Sequence, residues 1–459
     1  MTNCDKQVDV IVVGAGPAGA ATAYHLAQAG FEVLVLDKAV FPRNKTCGDG
    51  LTPAAVRELL TIGINPVTAP GYQKNTGLVV IGAGHKVRLP WSEQNTRPGF
   101  GSARPRLALD WHIAERARSA GAHVWEACTV TEALLEGGRA VGVRVRRGKE
   151  VEPKAGDLEL YEQLTAEDAR IPHSSAAARD RQEVRQMPPE FSVCARLVVD
   201  AGGVAARVAT GAGRTKATNR PLGVAVRTYF KSPRGAEMDM ESQLELWDGT
   251  PGKSNLLPGY GWMFPLGNGL VNVGLGSVSS SSAATKLPYR KIFDSWTKAT
   301  PTEWGFCPEN QVGPLQSAAL PMAFNRKPHY EGGLAIVGDA AGMVSPFNGE
   351  GIAPGMAGGR FLAAAAVQAF GRGEKGFDKA MNAFVQDMAH EWGGYYRLGT
   401  WFVKLIERPQ IMQVCTRYGL PINRLMVAVH KLLSDGYERS GGQIDDKIIA
   451  TLARLVPKV

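Results

Sequence analysis

Apolar residues run unbroken from Val10 to Val13 and stop at Gly14-Ala15-Gly16-Pro17-Ala18-Gly19. They resume, after an alanine-rich stretch, as Val33-Leu34-Val35-Leu36 ahead of Asp37. This order predicts strand, glycine turn, helix, second strand and acid, which is the dinucleotide-binding unit. Gly14 permits the tight turn, Gly16 lets backbone N–H groups approach a pyrophosphate, and Gly19 lets the helix pack against the strand. The helix N-terminus favours the phosphate charge. Asp37 follows at the distance expected of a carboxylate that accepts from a ribose hydroxyl.

Further along, residues 53–62 have a helical pattern and 77–90 alternate as an antiparallel hairpin. Leu107–Ala120 predicts a helix, His123–Val130 a short strand, and Val141–Arg146 and Ser192–Asp200 two more. Between these two, Arg147–Glu190 is charged and poor in large apolar residues, which predicts a mobile surface insertion without chemistry of its own. Four strand-like segments (Gly223–Phe230, Ser242–Trp247, Tyr260–Gly267 and Leu270–Val278) predict an antiparallel sheet, with 283–325 returning from it. Leu334–Val337 is a buried strand running into Gly338-Asp339. Past the breakers Pro346 and Gly349 the chain is mostly helical. The fold class is therefore α/β, α+β overall. It comprises a discontinuous Rossmann-type domain (1–70, 101–222 and 326–372, with the insertion at 147–190), an antiparallel-sheet substrate domain (71–100 and 223–325) and a C-terminal helical region (373–459).

Composition narrows the class. At 459 residues, 44% hydrophobic and 21% charged, the chain is globular. No apolar run is long enough to predict a spanning helix, and MTNCDKQ offers no signal peptide. The six cysteines show no CxxC or CxxH spacing, so neither a metal site nor a disulfide framework is expected, in keeping with a reducing compartment. A net charge of +9 suits nucleic acid, an anionic bilayer or a merely basic surface. No nucleic-acid motif accompanies it, and no nucleic-acid partner is expected.

A second glycine-rich segment carries chemistry. Gly338-Asp339-Ala340-Ala341-Gly342 follows a strand, and Pro346-Phe347-Asn348-Gly349-Glu350-Gly351-Ile352 opens a helix. Asp339 at the strand end can bond a ribityl hydroxyl, and the helix N-terminus can stabilise an anionic reduced flavin. The plainer reading is a loop-to-helix cap. The paired segments, about 320 residues apart, resemble those of FAD-dependent oxidoreductases of the aromatic-hydroxylase type. Phe41-Pro42-Arg43-Asn44-Lys45-Thr46-Cys47-Gly48-Asp49-Gly50, followed by Leu51-Thr52-Pro53, is similar to the geranylgeranyl reductases within that group. So are Pro258–Pro265 and Asn272–Gly276. The combination looks closest to the branch that hydrogenates one isoprene unit of the menaquinone tail.

This resemblance implies FAD as cofactor, with contacts at Gly14, Ala15, Gly16, Pro17 and Ala18, at Cys47, Gly48, Asp49 and Gly50, and at Arg106, Asp339, Gly351 and Ile352. Gly19 and Asp37 come from the dinucleotide pattern itself. The resemblance breaks at Asp200-Ala201-Gly202-Gly203-Val204-Ala205-Ala206. There Gly202 and Ala206 replace an acid and a serine that help the hydroxylases accommodate NADPH. The electron donor is left between NAD(P)H and a redox protein. An unpolarised alkene needs a proton on one carbon as hydride reaches the other, so the site must be dry and apolar, with a proton source. Tyr260, Trp262 and Phe264 supply a wall, or else ordinary core. Cys47, a thiol protonated at neutral pH, is the candidate donor, or else a residue that fits a tight loop. Glu350 either orients a proton or caps the helix. Amphipathic stretches at 395–406 and 422–433 suit either core packing or a peripheral position on the cytoplasmic side of a membrane. Other functions compatible with the motifs are reduction of geranylgeranyl diphosphate or a geranylgeranyl lipid, flavin monooxygenation or epoxidation of an apolar substrate, and a non-enzymatic flavin electron carrier or lipid-binding protein.

Overall fold

The computed structural model describes residues 4–94, 97–148, 160, 175–439 and 442–457. The buried strand Lys6–Val13 pairs in parallel with Val33–Leu36 on one side and Glu190–Asp200 on the other. His123–Trp125 and Leu334–Ile336 extend the parallel array outward. Residues 128–136 and 139–147 form an antiparallel hairpin attached to Glu190–Asp200. The strand expected at 123–130 is thus two strands, because the chain turns at Ala127 with a φ of 55° and leaves the parallel array.

Two further expectations are corrected. Within the proposed insertion, Ser175–Gln186 is a helix that buries Ala177, Asp180 and Val184. The Asp180 carboxylate accepts from Val124 N at 2.9 Å and pairs with Arg118 Nε at 3.2 Å and His123 Nδ1 at 3.1 Å. A charged surface stretch by composition is here an anchored helix, since its one buried acid meets a buried arginine. The remainder of that stretch, 149–159 and 161–174, lies outside the described residues. The cysteines are also not all isolated, because Cys4 and Cys194 form a disulfide with a Cα–Cα distance of 5.8 Å. The parallel pairing of Lys6–Val13 with Glu190–Asp200 brings the residues ahead of Lys6 near Cys194, and the chain bends at Asp5 so that Cys4 meets it across 190 residues of sequence that spacing rules do not span.

The second sheet has seven strands. Leu222–Lys231 lies between Gln311–Pro321 and Leu270–Ser279, and the order continues through Gly259–Pro265, Asp239–Gln243, Gly77–Gly82 and His85–Pro90. Only the junction of Asp239–Gln243 with Gly77–Gly82 is parallel. The strand expected at 242–247 is shifted to 239–243, and Trp247 keeps only an isolated bridge to Leu256. Alternation along these strands sorts the two faces. Phe230, Met263 and Val273 face the helix Tyr289–Lys298, against Ile292 and Phe293. Their neighbours Tyr229, Trp262 and Asn272 point the other way, toward the loop at residues 44–50.

Beyond Gly351, the helix Ile352–Gly371 packs on Pro17–Gln28 at glycine contacts: a Cβ at Gly359 would lie 2.3 Å from Thr22 Oγ1. The long helix Gly373–Ile406 buries Phe377, Phe384, Trp392 and Tyr395. Met426, on the helix Asn423–Leu433, reaches Val80 and Leu89 of the seven-stranded sheet. Among the described residues no helix is long and apolar enough to cross a membrane.

Removing the anchor of the Ser175–Gln186 helix leaves the Arg118 guanidinium and the Val124 N–H without it. Asp180→Ala is expected to cost about 1–3 kcal/mol of unfolding free energy in urea titration, the range for a buried donor left unpaired, because Val124 N–H loses its acceptor while Arg118 keeps Glu115 and Glu126. A loss below about 0.5 kcal/mol, the range of ordinary surface substitutions, would mean that the helix is not docked there.

Candidate functional site

Register aligns the carboxyl ends of four parallel strands: Val13 lies opposite Leu36 and Asp200, and Asp200 opposite Ile336. Gly14, Asp37, Ala201 and Gly338 therefore leave the sheet along one edge, where open parallel sheets bind their ligands. Gly14 has a φ of +98°, and a Cβ there would lie 2.5 Å from Ala201 O. At Gly19 a Cβ would lie 1.9 Å from Gly14 O, so helix and turn touch as the pattern predicts. Gly16 is different. A Cβ there would meet only Arg43 Nη2 at 3.7 Å and Arg106 Nη2 at 3.9 Å, so the backbone faces a space framed by two guanidiniums. The helix Pro17–Gln28 starts at Gly16 with no side-chain cap, which leaves its first N–H groups directed the same way.

The guanidiniums are held by Asp110. Arg43 Nη1 and Arg106 Nη2 each donate to Asp110 Oδ2 at 2.7 Å, and Arg106 Nε donates to Oδ1. Burial works against the charge on Asp110, but Arg106 and Arg43 outweigh it and keep the carboxyl below its ordinary value. Burial likewise opposes the charge on Arg106, and Asp110 more than restores it. Asp37 accepts from Ala15 N at 2.7 Å and Ala39 N at 2.9 Å, so it braces the glycine turn.

Residues 47–50 form the seam between the sheets. Asp49 is fully buried and has a φ of 63°. Its carboxylate accepts from Tyr229 Oη at 2.7 Å, Asn272 Nδ2 at 2.8 Å and Arg106 N at 3.1 Å. Burial raises its pKa, against the pull of Arg227, Tyr229 and Asn272. Asn272 Nδ2 also donates to Cys47 O at 2.9 Å, while Trp262 Nε1 donates to Asn272 Oδ1 at 2.9 Å. Phe264 and Trp262 press on the loop, since a Cβ at Gly48 would lie 3.2 Å from Phe264 and 3.4 Å from Trp262 Nε1. The Cys47 thiol receives Asp49 N at 3.4 Å, and burial raises its pKa despite the nearby Arg106.

The late glycine segment meets the early one. A Cβ at Gly338 would lie 2.8 Å from Ala18 Cβ, and one at Gly351 would lie 3.3 Å from Asp339 Oδ1. Asp339 pairs with Lys45 at 3.3 Å. Ile352 begins a helix of 20 residues capped by no side chain. Tyr260 Oη donates to Asn348 O at 2.5 Å, which ties the aromatic strand to this segment. Thr52 Oγ1 donates to Glu350 Oε1 at 2.7 Å. At the divergent turn the buried Asp200 accepts from Gly202 N and Ala209 N, each at 2.8 Å, so it shapes the turn.

All the residues singled out from the sequence thus gather along one sheet edge and its seam with the second sheet. Sequence reasoning gave no role to Asp110, Tyr229, Asn272 or Thr52. The four-residue spacing of Arg106 and Asp110 on a helix was a readable signal. The Asp49–Tyr229 contact spans 180 residues and left none.

The chain matches the family model described as FAD binding domain over residues 7–375. It is 36% identical over 361 residues to a menaquinone reductase of Mycobacterium tuberculosis, covering 78% of this chain and 76% of that one. A digeranylgeranylglycerophospholipid reductase of Methanothermobacter thermautotrophicus is 27% identical over 371 residues, 80% of this chain and 79% of its own. In fold the chain resembles the solved structure of a geranylgeranyl bacteriochlorophyll reductase-like protein from Thermoplasma acidophilum. That likeness has a TM-score of 0.68 at 18% identity and covers 97% of this chain and 99% of the other. The Gly16 cradle, open toward two arginines and an uncapped helix, fits the diphosphate of FAD.

Gly16 has a φ of −72°, which any residue adopts. Gly16→Ala is therefore expected to leave the melting temperature of the flavin-free protein within about 2 °C while raising the FAD dissociation constant at least about tenfold, or about 1.4 kcal/mol. Unchanged affinity would place the diphosphate elsewhere.

Proposed function

Because this chain belongs to the geranylgeranyl reductase family of FAD-dependent oxidoreductases, we propose that it saturates a double bond in the prenyl chain of a lipid, namely one isoprene unit of menaquinone. The observation that carries this reading is the seam itself, where Tyr260, Trp262 and Phe264 stand side by side on one strand against the Cys47–Gly50 loop. Their neighbouring ring centroids are 6.0 and 6.2 Å apart. Residues 71–100 and 223–325 form the substrate domain in this reading, and the three rings offer the tail an apolar wall.

In this reading Gly14 to Gly19, Arg43 and Arg106 would hold the diphosphate, Asp37 the adenosine ribose and Asp339 the ribityl chain. Cys47 to Gly50 and Gly351-Ile352 would border the flavin ring. When bound and reduced, FAD would supply the hydride for one alkene carbon. Cys47, kept as a neutral thiol by burial, gives the proton to the other carbon. The reductant is NAD(P)H or a redox protein.

The cytoplasmic side of the membrane belongs to the proposal, and the C-terminal helices support a peripheral position on an anionic bilayer. Trp401, Tyr418 and Ile422 are 46%, 61% and 53% exposed. Lys404 sits 5.1 Å over the Trp401 ring and Arg417 sits 5.6 Å over that of Tyr418. Interfacial aromatics interleaved with cations match anionic headgroups, and a lipid substrate resides there.

The test uses protein reduced anaerobically with dithionite, so that it does not depend on the donor, and menaquinone in phosphatidylglycerol vesicles. The lipid is expected to gain two hydrogens that survive reoxidation in air, and the protein to float with the vesicles at low salt. Cys47→Ala should retain FAD and lose the tail reduction. Reversible headgroup reduction alone, or addition of oxygen, would overturn the proposed function.

A further inference from the structure

We propose that Glu350 carries protons from solvent to the prenyl pocket, through a water held in the cavity behind it. This assignment rests on the alkene reduction proposed above and deepens it, because each turnover leaves the proton donor at the seam in need of reloading.

Glu350 stands between two environments. On one side it accepts from Thr52, which directly follows the Cys47–Leu51 loop. Tyr260 lies close enough to feel the charged forms of both Glu350 and Cys47, although burial is the main reason that its phenol stays protonated. On the other side Glu350 borders a small cavity, about 20 Å³ as traced by the centre of a water molecule, together with Ser345, Tyr395 and Tyr396. That is room for one water among polar groups. Tyr396 is 2% exposed, and its hydroxyl has no hydrogen-bond partner among the described residues. A buried hydroxyl without a partner is costly, and a water in this cavity satisfies it. The outer lining consists of Arg57, Glu391 and Asp435, whose side chains are 26%, 24% and 16% exposed, so the cavity adjoins solvent.

The electrostatics suit transfer in both directions. Burial is the largest influence and brings the Glu350 carboxyl up to about 7. Asp435 adds to the rise, while Thr52, Arg97 and Asn348 oppose it. A carboxyl poised there is protonated in part of the population at neutral pH and regains a lost proton readily. The step balances. Alkene plus hydride from reduced FAD plus the thiol proton of Cys47 gives the saturated tail, oxidised FAD and a thiolate. The Glu350 proton returns the thiolate to thiol, and the cavity water, fed from solvent, restores the carboxyl. Glu350 is thus a positioning residue for protons and acts through Cys47.

Two readouts on the flavin-loaded protein test it. Steady-state prenyl reduction should fall as pH rises through about 7 in the wild type. Glu350→Gln should lower the rate at pH 6 at least about tenfold, within the range for loss of a proton-transferring group, and remove this limb. Thr52→Val, which deletes a hydrogen bond to the carboxylate, should move the limb to higher pH. The second readout needs no turnover. In the folded state Glu350 keeps a proton that the unfolded chain releases near pH 4.5, so its contribution to stability declines from about 4.5 to about 7. The melting temperature of the wild type relative to Glu350→Gln should fall across that window.

A limb that persists in Glu350→Gln, or a melting difference that does not vary with pH, overturns the assignment. A wild type that transfers no hydrogen to the tail overturns the proposed function, and this assignment with it.

Discussion

The buried carboxylate of Asp49 is the constraint on which the remaining geometry depends. It sits in left-handed backbone, out of contact with water, and takes its hydrogen bonds from both halves of the molecule. Arg106 N comes from the dinucleotide side, and Tyr229 and Asn272 come from the seven-stranded sheet. A buried carboxylate is tolerated only when its oxygens are satisfied, so the loop and the sheet are held in one relative position. Asn272 extends the network to the Cys47 carbonyl and the Trp262 indole, which fixes the thiol and the aromatic wall together.

Charge is distributed along the site in keeping with the division of labour. Beside Gly16, where the diphosphate of FAD would sit, Arg43 and Arg106 share the buried Asp110, with Asp37 3.9 Å from Arg43, and both guanidiniums still face the Gly16 backbone. Along the proposed prenyl wall, burial keeps the Cys47 thiol and the Tyr260 phenol neutral, and the Asp49 carboxylate is tied up by Tyr229 and Asn272. A lipid tail is then not asked to displace a hydrated charge. The uncapped start of the helix Ile352–Gly371 adds a positive dipole beside Glu350.

Much of this was legible in the sequence because it is local. Gly14, Gly16, Gly19 and Asp37 fall within one βαβ unit, where spacing alone dictates contact. Gly338-Asp339 and Gly351-Ile352 fall within another short segment. Tyr260, Trp262 and Phe264 alternate along one strand and so share a face. What escaped was set by tertiary register. The disulfide of Cys4 with Cys194 follows from how two parallel strands align, and the docking of the Ser175–Gln186 helix follows from Asp180 finding Arg118. The bond from Tyr229 to Asp49 depends on how two sheets meet. Glu350 could be seen beside a helix start, but its environment could not, because Thr52, Arg97 and Asp435 approach from three distant parts of the chain.

The most direct measurement of the central claim is a double-mutant cycle on FAD dissociation, with Asp49→Asn, Tyr229→Phe and the combined variant. Asparagine tolerates the left-handed backbone at position 49 and removes the charge while Tyr229→Phe removes the hydroxyl, so the cycle reports how the Asp49 charge couples to the phenol. If the bond between them holds the flavin-bordering loop to the aromatic sheet, the two substitutions should couple by at least about 1 kcal/mol in FAD affinity. Effects that add to within about 0.3 kcal/mol would contradict the account, because loop and sheet would then be positioned independently.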